Sequence, residues 1–270
     1  MARAVITGAS SGLGEVFARR LAARGYSLTL AARRRERLES LAAEIRLQHP
    51  VEVEVVPADL SADAGIEAFA ARVAAMNDLE ILVNNAGFGT RGRFWETAWG
   101  PQDAMHRLHV LATLRLTRAA LEAMLPHDRG AVINVSSVAG FFRSAGNVSY
   151  CATKAWMNSF CEGVWLELES VGSRVQIQAL CPGFTYTEFH DAMGVDRAKI
   201  AKPLWMTAEF VVDESLKALE KRQLFVIPGR KYRWGVALAS LLPVSWRLAL
   251  EGKSPHRKGR EQVEARMQSS

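Results

Sequence analysis

Tyr150 and Lys154 stand four residues apart, the spacing that brings two side chains to one face of a helix. A phenol with a pKa of about 10 is a poor proton-transfer group at neutral pH. A neighbouring ammonium favours the phenolate and tunes the hydroxyl toward acid–base work. Ser137 precedes Tyr150 by thirteen residues, at the end of the apolar run Ala131–Ser136. Its hydroxyl is suited to orient a carbonyl oxygen, and strand ends are where open α/β sheets bind ligands.

A second group of residues points to an anion. Thr7-Gly8-Ala9-Ser10-Ser11-Gly12-Leu13-Gly14 follows the apolar run Arg3–Thr7 and precedes Val16, Phe17, Leu21 and Ala22 at helical spacing. Gly8, Gly12 and Gly14 let the backbone turn tightly and approach a pyrophosphate, whose charge a helix N-terminus favours. Ser10 and Ser11 add hydroxyl donors. A glycine turn alone is weak evidence, but behind the first strand of an α/β chain it favours nucleotide binding.

The next strand ends at Ala31-Ala32-Arg33-Arg34-Arg35. An NAD site usually places a carboxylate there for the ribose 2′-hydroxyl, whereas a 2′-phosphate needs cations. Ala32 stands where the acid is expected, and Arg33 and Arg34 follow, with Arg37 within reach. Guanidinium forks match phosphate oxygens bidentately. The reading is NADP(H); a solvated basic helix start is the alternative.

The elements that must hold these groups alternate along the chain. Strands are expected at 3–7, 27–31, 52–56, 80–84, 131–136, 175–180 and 224–227. Helices are expected between them, including a long amphipathic one over 106–125 and another over 152–171. That alternation predicts a Rossmann-like, doubly wound α/β fold, with a mostly parallel seven-stranded sheet and helices on both faces. One catalytic domain is expected over 1–230, with a substrate lid at about 188–207. An apolar and then basic appendage follows over 231–270.

In these motifs the chain resembles a short-chain dehydrogenase/reductase, in the branch with a core of about 250 residues. The likeness runs from Arg3 to about Gly229. It rests on the glycine pattern at 7–14, Asp59-Leu60, Asn84-Asn85-Ala86-Gly87, Ser137, the Tyr150/Lys154 pair, and Pro182-Gly183 with Thr187. The resemblance implies hydride exchange between a nicotinamide cofactor and a carbonyl or alcohol. Tyr150 would then be the general acid and base, Ser137 the carbonyl-binding hydroxyl, and Lys154 the holder of the nicotinamide ribose. Asp59 and Leu60 would flank adenine, while Asn85, Ala86 and Gly87 would line the cofactor channel. The backbone from Pro182 through Thr185 would face the carboxamide, with Tyr150 and Thr187 also against the cofactor. Where the family commonly has Asn, this chain has His109, which either titrates in a proton relay near neutrality or points into packing and never meets the relay. A catalytically weak NADP(H)-binding sensor is the alternative that this substitution favours.

In the family, substrate choice resides largely in the segment after Pro182-Gly183 and in the C-terminus. Phe184, Phe189, His190, Met193, Leu204, Trp205 and Met206 suggest an apolar pocket under the lid, with Phe141, Phe142 and Trp156 on its other wall. A bulky hydrophobic ketone, aldehyde or alcohol is the expected substrate. Homodimers or homotetramers are implied through the helices at 106–125 and 152–171.

The composition agrees with a globular protein: 270 residues, 49% hydrophobic, 23% charged. Cys151, Cys161 and Cys181 have no metal-site spacing, so reduced thiols, no metal and a cytoplasmic setting are expected. No signal-peptide core follows Met1. The net charge of +6 is C-terminal in origin, since Lys217 onward carries +8 and the remainder −2. The stretch 232–250 is rich in Trp and Leu but broken by Pro243 and Arg247, which argues against a spanning helix. Covering a pocket, packing at a subunit contact and peripheral membrane contact are its three readings; the basic tail reads first as solvated, and nucleic-acid binding is disfavoured.

Overall fold

The computed structural model describes residues 2–189 and 200–251. Its sheet consists of β1 (Arg3–Thr7), β2 (Ser27–Ala32), β3 (Val53–Pro57), β4 (Leu79–Asn84), β5 (Ala131–Val135), β6 (Gln176–Leu180) and β7 (Phe225–Val226). The order is β3-β2-β1-β4-β5-β6-β7, and every pairing is parallel. The fold is the Rossmann-like arrangement expected from the alternation.

Parallel strands covered on both faces read as continuous apolar runs, and Ile81-Leu82-Val83 and Ala131-Val132-Ile133 do so. The pleat then divides each run between two cores. Ala4, Ile6, Ile81, Val83, Ile133 and Val135 meet α1 (Gly12–Ala23), α2 (Arg35–Gln48) and α7 (Ala208–Leu219) on one face. Val5, Leu82, Val132, Ile177 and Ala179 meet α3 (Asp63–Ala74), α5 (Thr113–Met124) and α6 (Val148–Ser170) on the other. Each large side chain withdrawn from water contributes about 1.5–3 kcal/mol.

The helix expected from residue 106 starts earlier. α4 (Trp99–His106) has Pro101 in its first turn, where proline is tolerated. A π-helical stretch, Arg107–Ala112, then joins α4 to α5. Likewise α6 begins at Val148 rather than 152, which sets Tyr150 in its first turn.

Beyond β7 the chain forms α8 (Arg230–Leu241) and α9 (Val244–Glu251), separated at Pro243 because the residue before a proline is pushed out of helical geometry. Among the described residues no helix is long and apolar enough to cross a membrane. On α8, Val236 faces inward, whereas Trp234, Leu238 and Leu241 are exposed.

Candidate active site

The strand order reverses between β1 and β4, and open α/β sheets bind ligands at that switch point, beyond the strand C-termini. A cleft of about 460 Å³ opens there. Gly8, Ser10, Ser11, Gly12, Leu13, Arg33, Arg34, Asp59, Leu60, Asn85, Ala86, Gly87, Ser137, Tyr150, Lys154, Pro182, Gly183, Thr185 and Thr187 all line it. Residues separated by up to 179 positions in sequence thus converge on one surface. A second hollow, of about 310 Å³, lies around Arg3, Arg46, Glu52 and Asp78 and holds none of these groups.

The glycine loop is held from β4. Thr7 Oγ1 accepts from the backbone N–H groups of Asn85 and Ala86, each at 3.0 Å. Asn85 Nδ2 donates to the carbonyls of Thr7 and Gly8, at 3.0 and 3.1 Å. Gly8 has φ +65°, and a Cβ there would lie 2.8 Å from Ala86 Cα, so both conformation and space demand glycine. Gly14 does not line the cleft. A Cβ on it would come 2.4 Å from the Gly8 carbonyl oxygen, so it permits the close seating of α1 under the loop. The Ser11 hydroxyl does not cap α1; it accepts instead from Arg34 Nη2 at 2.8 Å. The first-turn N–H groups of α1 therefore open on the cleft without a side-chain cap, a cradle for an anion.

At the β2 end, Ala32, Arg33 and Arg34 border the cleft. Arg34 also donates to Ser10 Oγ at 3.0 Å and ion-pairs with Glu188 at 3.2 Å. Arg37 lies off the cleft wall and pairs with the same Glu188 at 2.6 Å. Asp59 accepts from the hydroxyl and N–H of Ser61, which holds its carboxyl below the usual range. The uncapped helix end and the backbone cradle fit the pyrophosphate of a dinucleotide.

Tyr150, Ser137 and Lys154 meet at the other end. Tyr150 is 7% and Lys154 5% exposed. Ser137 accepts a hydrogen bond from Ala139 N–H at 3.1 Å and donates to the Pro182 carbonyl at 3.4 Å. Lys154 Nζ donates to the Val135 carbonyl at 2.8 Å and lies 5.8 Å from the Tyr150 ring centroid. Burial raises the Tyr150 phenol above its ordinary pKa, with the Ser137 hydroxyl acting against it. Burial also lowers Lys154 from 10.5 to about 7. Burial is the largest influence on both groups in this structure.

His109 is wholly buried in the π-helical stretch. Its Nε2 receives the Phe88 backbone N–H at 3.3 Å and therefore carries no proton. Nδ1 carries it and donates to Thr153 Oγ1 at 3.0 Å. Thr153 in turn donates to the Tyr150 carbonyl at 2.9 Å. Burial, then the charges of Lys154 and His106, push His109 well below 6.5. This corrects the expectation that it titrates near neutrality: a second proton on Nε2 would face an N–H already pointing at it.

The residues expected around the substrate pocket take different places. Phe189 lines the cleft and packs against Tyr150, ring centroids 5.8 Å apart. Phe184 and Tyr186 instead pack on Trp205. Phe141 packs on Phe225, and Trp156 stacks on Phe160. Leu204, Met206 and Phe142 do not border the cleft either. His190 and Met193 lie outside the described residues, as does lid segment 190–199. Cys151, Cys161 and Cys181 are buried, and no metal-binding cluster occurs among the described residues.

Three participants carried no signal in the sequence. Thr153 and Glu188 are ordinary helix and loop polar residues until their partners are seen. Tyr232 of α8 accepts the Phe184 N–H at 3.0 Å and donates to the Leu204 carbonyl at 2.7 Å. Its ring fills the space over Gly183, where a Cβ would lie 2.1 Å from it. The appendage is thereby pinned to the cleft wall.

Fold and cleft define a nicotinamide-dinucleotide oxidoreductase. Residues 2–198 match the family model described as short chain dehydrogenase, and the chain belongs to that family. It is 32% identical to a 7beta-hydroxysteroid dehydrogenase of Collinsella aerofaciens over 227 residues, 84% of this chain and 86% of the relative. A short-chain dehydrogenase of Sphingobium yanoikuyae in complex with NADPH is similar, with 33% identity and TM-score 0.81, covering 90% of this chain and 97% of that one. The bulky-bulky ketone specific alcohol dehydrogenase of Comamonas testosteroni gives 29% identity and TM-score 0.76, covering 90% and 96%. A Burkholderia phymatum member in complex with NAD gives 27% and 0.77, covering 88% and 92%. The cofactor of this chain is one of the nicotinamide dinucleotides.

Proposed function

We propose that the protein is an NADP(H)-dependent carbonyl reductase or alcohol dehydrogenase acting on a bulky, hydrophobic ketone, aldehyde or secondary alcohol. One observation carries this reading: the buried Tyr150 phenol and the Ser137 hydroxyl share a single cleft with Arg33 and Arg34. The dinucleotide, when bound, supplies or accepts the hydride. In reduction, Tyr150 passes its proton to the carbonyl oxygen, which Ser137 holds by a hydrogen bond. Lys154 would hold the ribose hydroxyls and bring positive charge beside the phenol. Arg33 and Arg34 would take the 2′-phosphate. Neutral His109 fixes Thr153 and presses its ring edge-on to Tyr150, centroids 5.9 Å apart, so it serves as a positioning group.

The substrate class draws support from the hydroxysteroid and bulky-ketone enzymes among the relatives, and from Phe189 beside the reactive hydroxyl. An NADPH-consumption screen over carbonyls of graded size and polarity tests it. Turnover confined to small polar carbonyls would overturn the substrate class. Tight NADPH binding with no turnover on any carbonyl would favour the sensor reading instead. Exposed Leu111, Leu114 and Leu166 on the helices around the site support pairing of copies there.

A second observation bears on where the enzyme works. Trp234, Leu238 and Leu241 recur at helical spacing on the solvent side of α8, and Val244, Trp246 and Leu248 of α9 are exposed too. A solvent-facing apolar stripe asks for a cover. Basic residues from Arg230 onward outnumber acidic ones nine to three, which favours an anionic bilayer surface over a second, equally basic copy. Co-sedimentation with phosphatidylglycerol vesicles, but not with phosphatidylcholine alone, is expected. Equal recovery with both overturns this reading.

A further inference from the structure

The arginines that read as a 2′-phosphate site already hold an anion. Glu188 Oε2 lies 3.2 Å from Arg34 Nη1, and its Oε1 lies 2.6 Å from Arg37 Nη1. The carboxylate thus bridges two guanidinium groups, each oxygen to a different arginine. The remaining nitrogens of Arg34 reach the glycine loop, at Ser10 Oγ and Ser11 Oγ. Thr187, the residue before Glu188, lies close over the loop, since a Cβ on Gly12 would come within 3.2 Å of it. Arg34 therefore ties three segments together: the phosphate loop, the start of α2, and the strip leading from β6. Both Arg34 and Glu188 remain about half exposed, so water reaches the pair and can replace either partner.

We propose that Glu188 is an internal stand-in for the cofactor's 2′-phosphate and thereby a determinant of cofactor discrimination. It rests on the NADP(H) reading above. Carboxylate and phosphate satisfy the same guanidinium fork, so NADPH must displace Glu188 from Arg34 to use it. NADH, with a 2′-hydroxyl, has no such exchange to make. Glu188 keeps the arginines ordered without cofactor, and it subtracts from the affinity gained by the phosphate. The chain prefers NADPH by less than its arginines would allow, because part of that attraction is already spent within the protein.

The test is binding of four ligands, NADPH, NADH, 2′,5′-ADP and 5′-AMP, to full-length wild type, Glu188→Gln and Glu36→Gln. Glu36 lies in the same first turn of α2 and forms no ion pair with Arg34 or Arg37 among the described residues. Glu188→Gln is expected to tighten NADPH and 2′,5′-ADP about three- to tenfold, while NADH and 5′-AMP stay within about twofold. Glu36→Gln should leave all four unchanged. In an Arg34→Ala, Arg37→Ala background the gain from Glu188→Gln should vanish. Unchanged NADPH affinity in Glu188→Gln, equal tightening of all four ligands, or equal gains from both glutamines overturns the proposal. Wild-type preference for NADH is a separate result: it overturns the NADP(H) reading. The effect of Glu188→Gln on 2′,5′-ADP against 5′-AMP still decides the role of Glu188.

Discussion

His109 Nδ1 donates to Thr153 Oγ1 at 3.0 Å, and Thr153 passes the contact on to the backbone carbonyl of Tyr150. The imidazole is thus wired to the first turn of α6 by its protonated nitrogen, and its other nitrogen is taken by the Phe88 N–H. A side chain with both nitrogens so occupied is a fixed neutral strut. Gly87 makes room for it, because a Cβ there would stand 2.8 Å from Nε2.

The pH behaviour follows from that lock. His109 is pushed well below 6.5 in the fold, while unfolded histidine titrates near about 6.5. Between these values the unfolded chain binds the extra proton, so stability falls as pH drops below about 6.5 and is unaffected above it. His109→Asn should flatten that acid limb by up to about 1.4 kcal/mol per pH unit in urea titrations. Its pH–rate profile should match wild type between pH 6.5 and 8. A wild-type inflection near neutrality that the substitution removes would show that His109 does titrate in the active enzyme.

Tyr150→Phe removes the proton donor and leaves the dinucleotide cradle intact. Carbonyl reduction should fall at least about 100-fold, with NADPH affinity within a few-fold of wild type. Because burial raises the phenol, wild-type reduction should persist through neutral pH, and alcohol oxidation should climb as pH rises. Near-normal turnover by Tyr150→Phe would assign the proton to another group.

Arg33 borders the cleft directly after Ala32. Arg33→Ala should weaken NADPH by about tenfold, in the range of one charge-assisted hydrogen bond, and leave NADH nearly unchanged. Cofactor fluorescence titration reads both. Equal losses for the two cofactors would mean that Arg33 does not meet the 2′-phosphate.

Tyr232 joins α8 to the cleft wall through its ring over Gly183 and through its hydroxyl, which accepts from Phe184 and donates to Leu204. Tyr232→Phe keeps the ring over Gly183 but strands those two backbone groups, a cost of about 1–3 kcal/mol. A lowering of Tm by several degrees is expected in thermal denaturation. Gly183→Ala should cost at least as much, since its methyl would enter the ring. An unchanged Tm in both variants would show that α8 is not fastened there.

Periodicity and local chemistry sufficed for much of this molecule. The strands were legible because a buried parallel strand must be an apolar run, and the glycine loop because only glycine fits where Gly8 turns against Ala86. Tyr150 and Lys154 were legible because helical spacing alone makes them neighbours. Helix starts were less so: Gly100-Pro101 reads as a break, yet proline is at home in a first turn.

What the tertiary structure decided are the effects that depend on which distant groups share a space. How far Tyr150 and Lys154 are desolvated depends on what packs around them, and Lys154 reaches the Val135 carbonyl. Whether His109 titrates depends on Phe88 and Thr153, far from it in sequence. That Arg34 and Arg37 meet Glu188 depends on a contact across more than 150 residues. Composition and spacing fix which groups exist and which local backbone they favour. Desolvation, tautomer and ion pairing act over a few ångströms, and only the folded chain sets those distances.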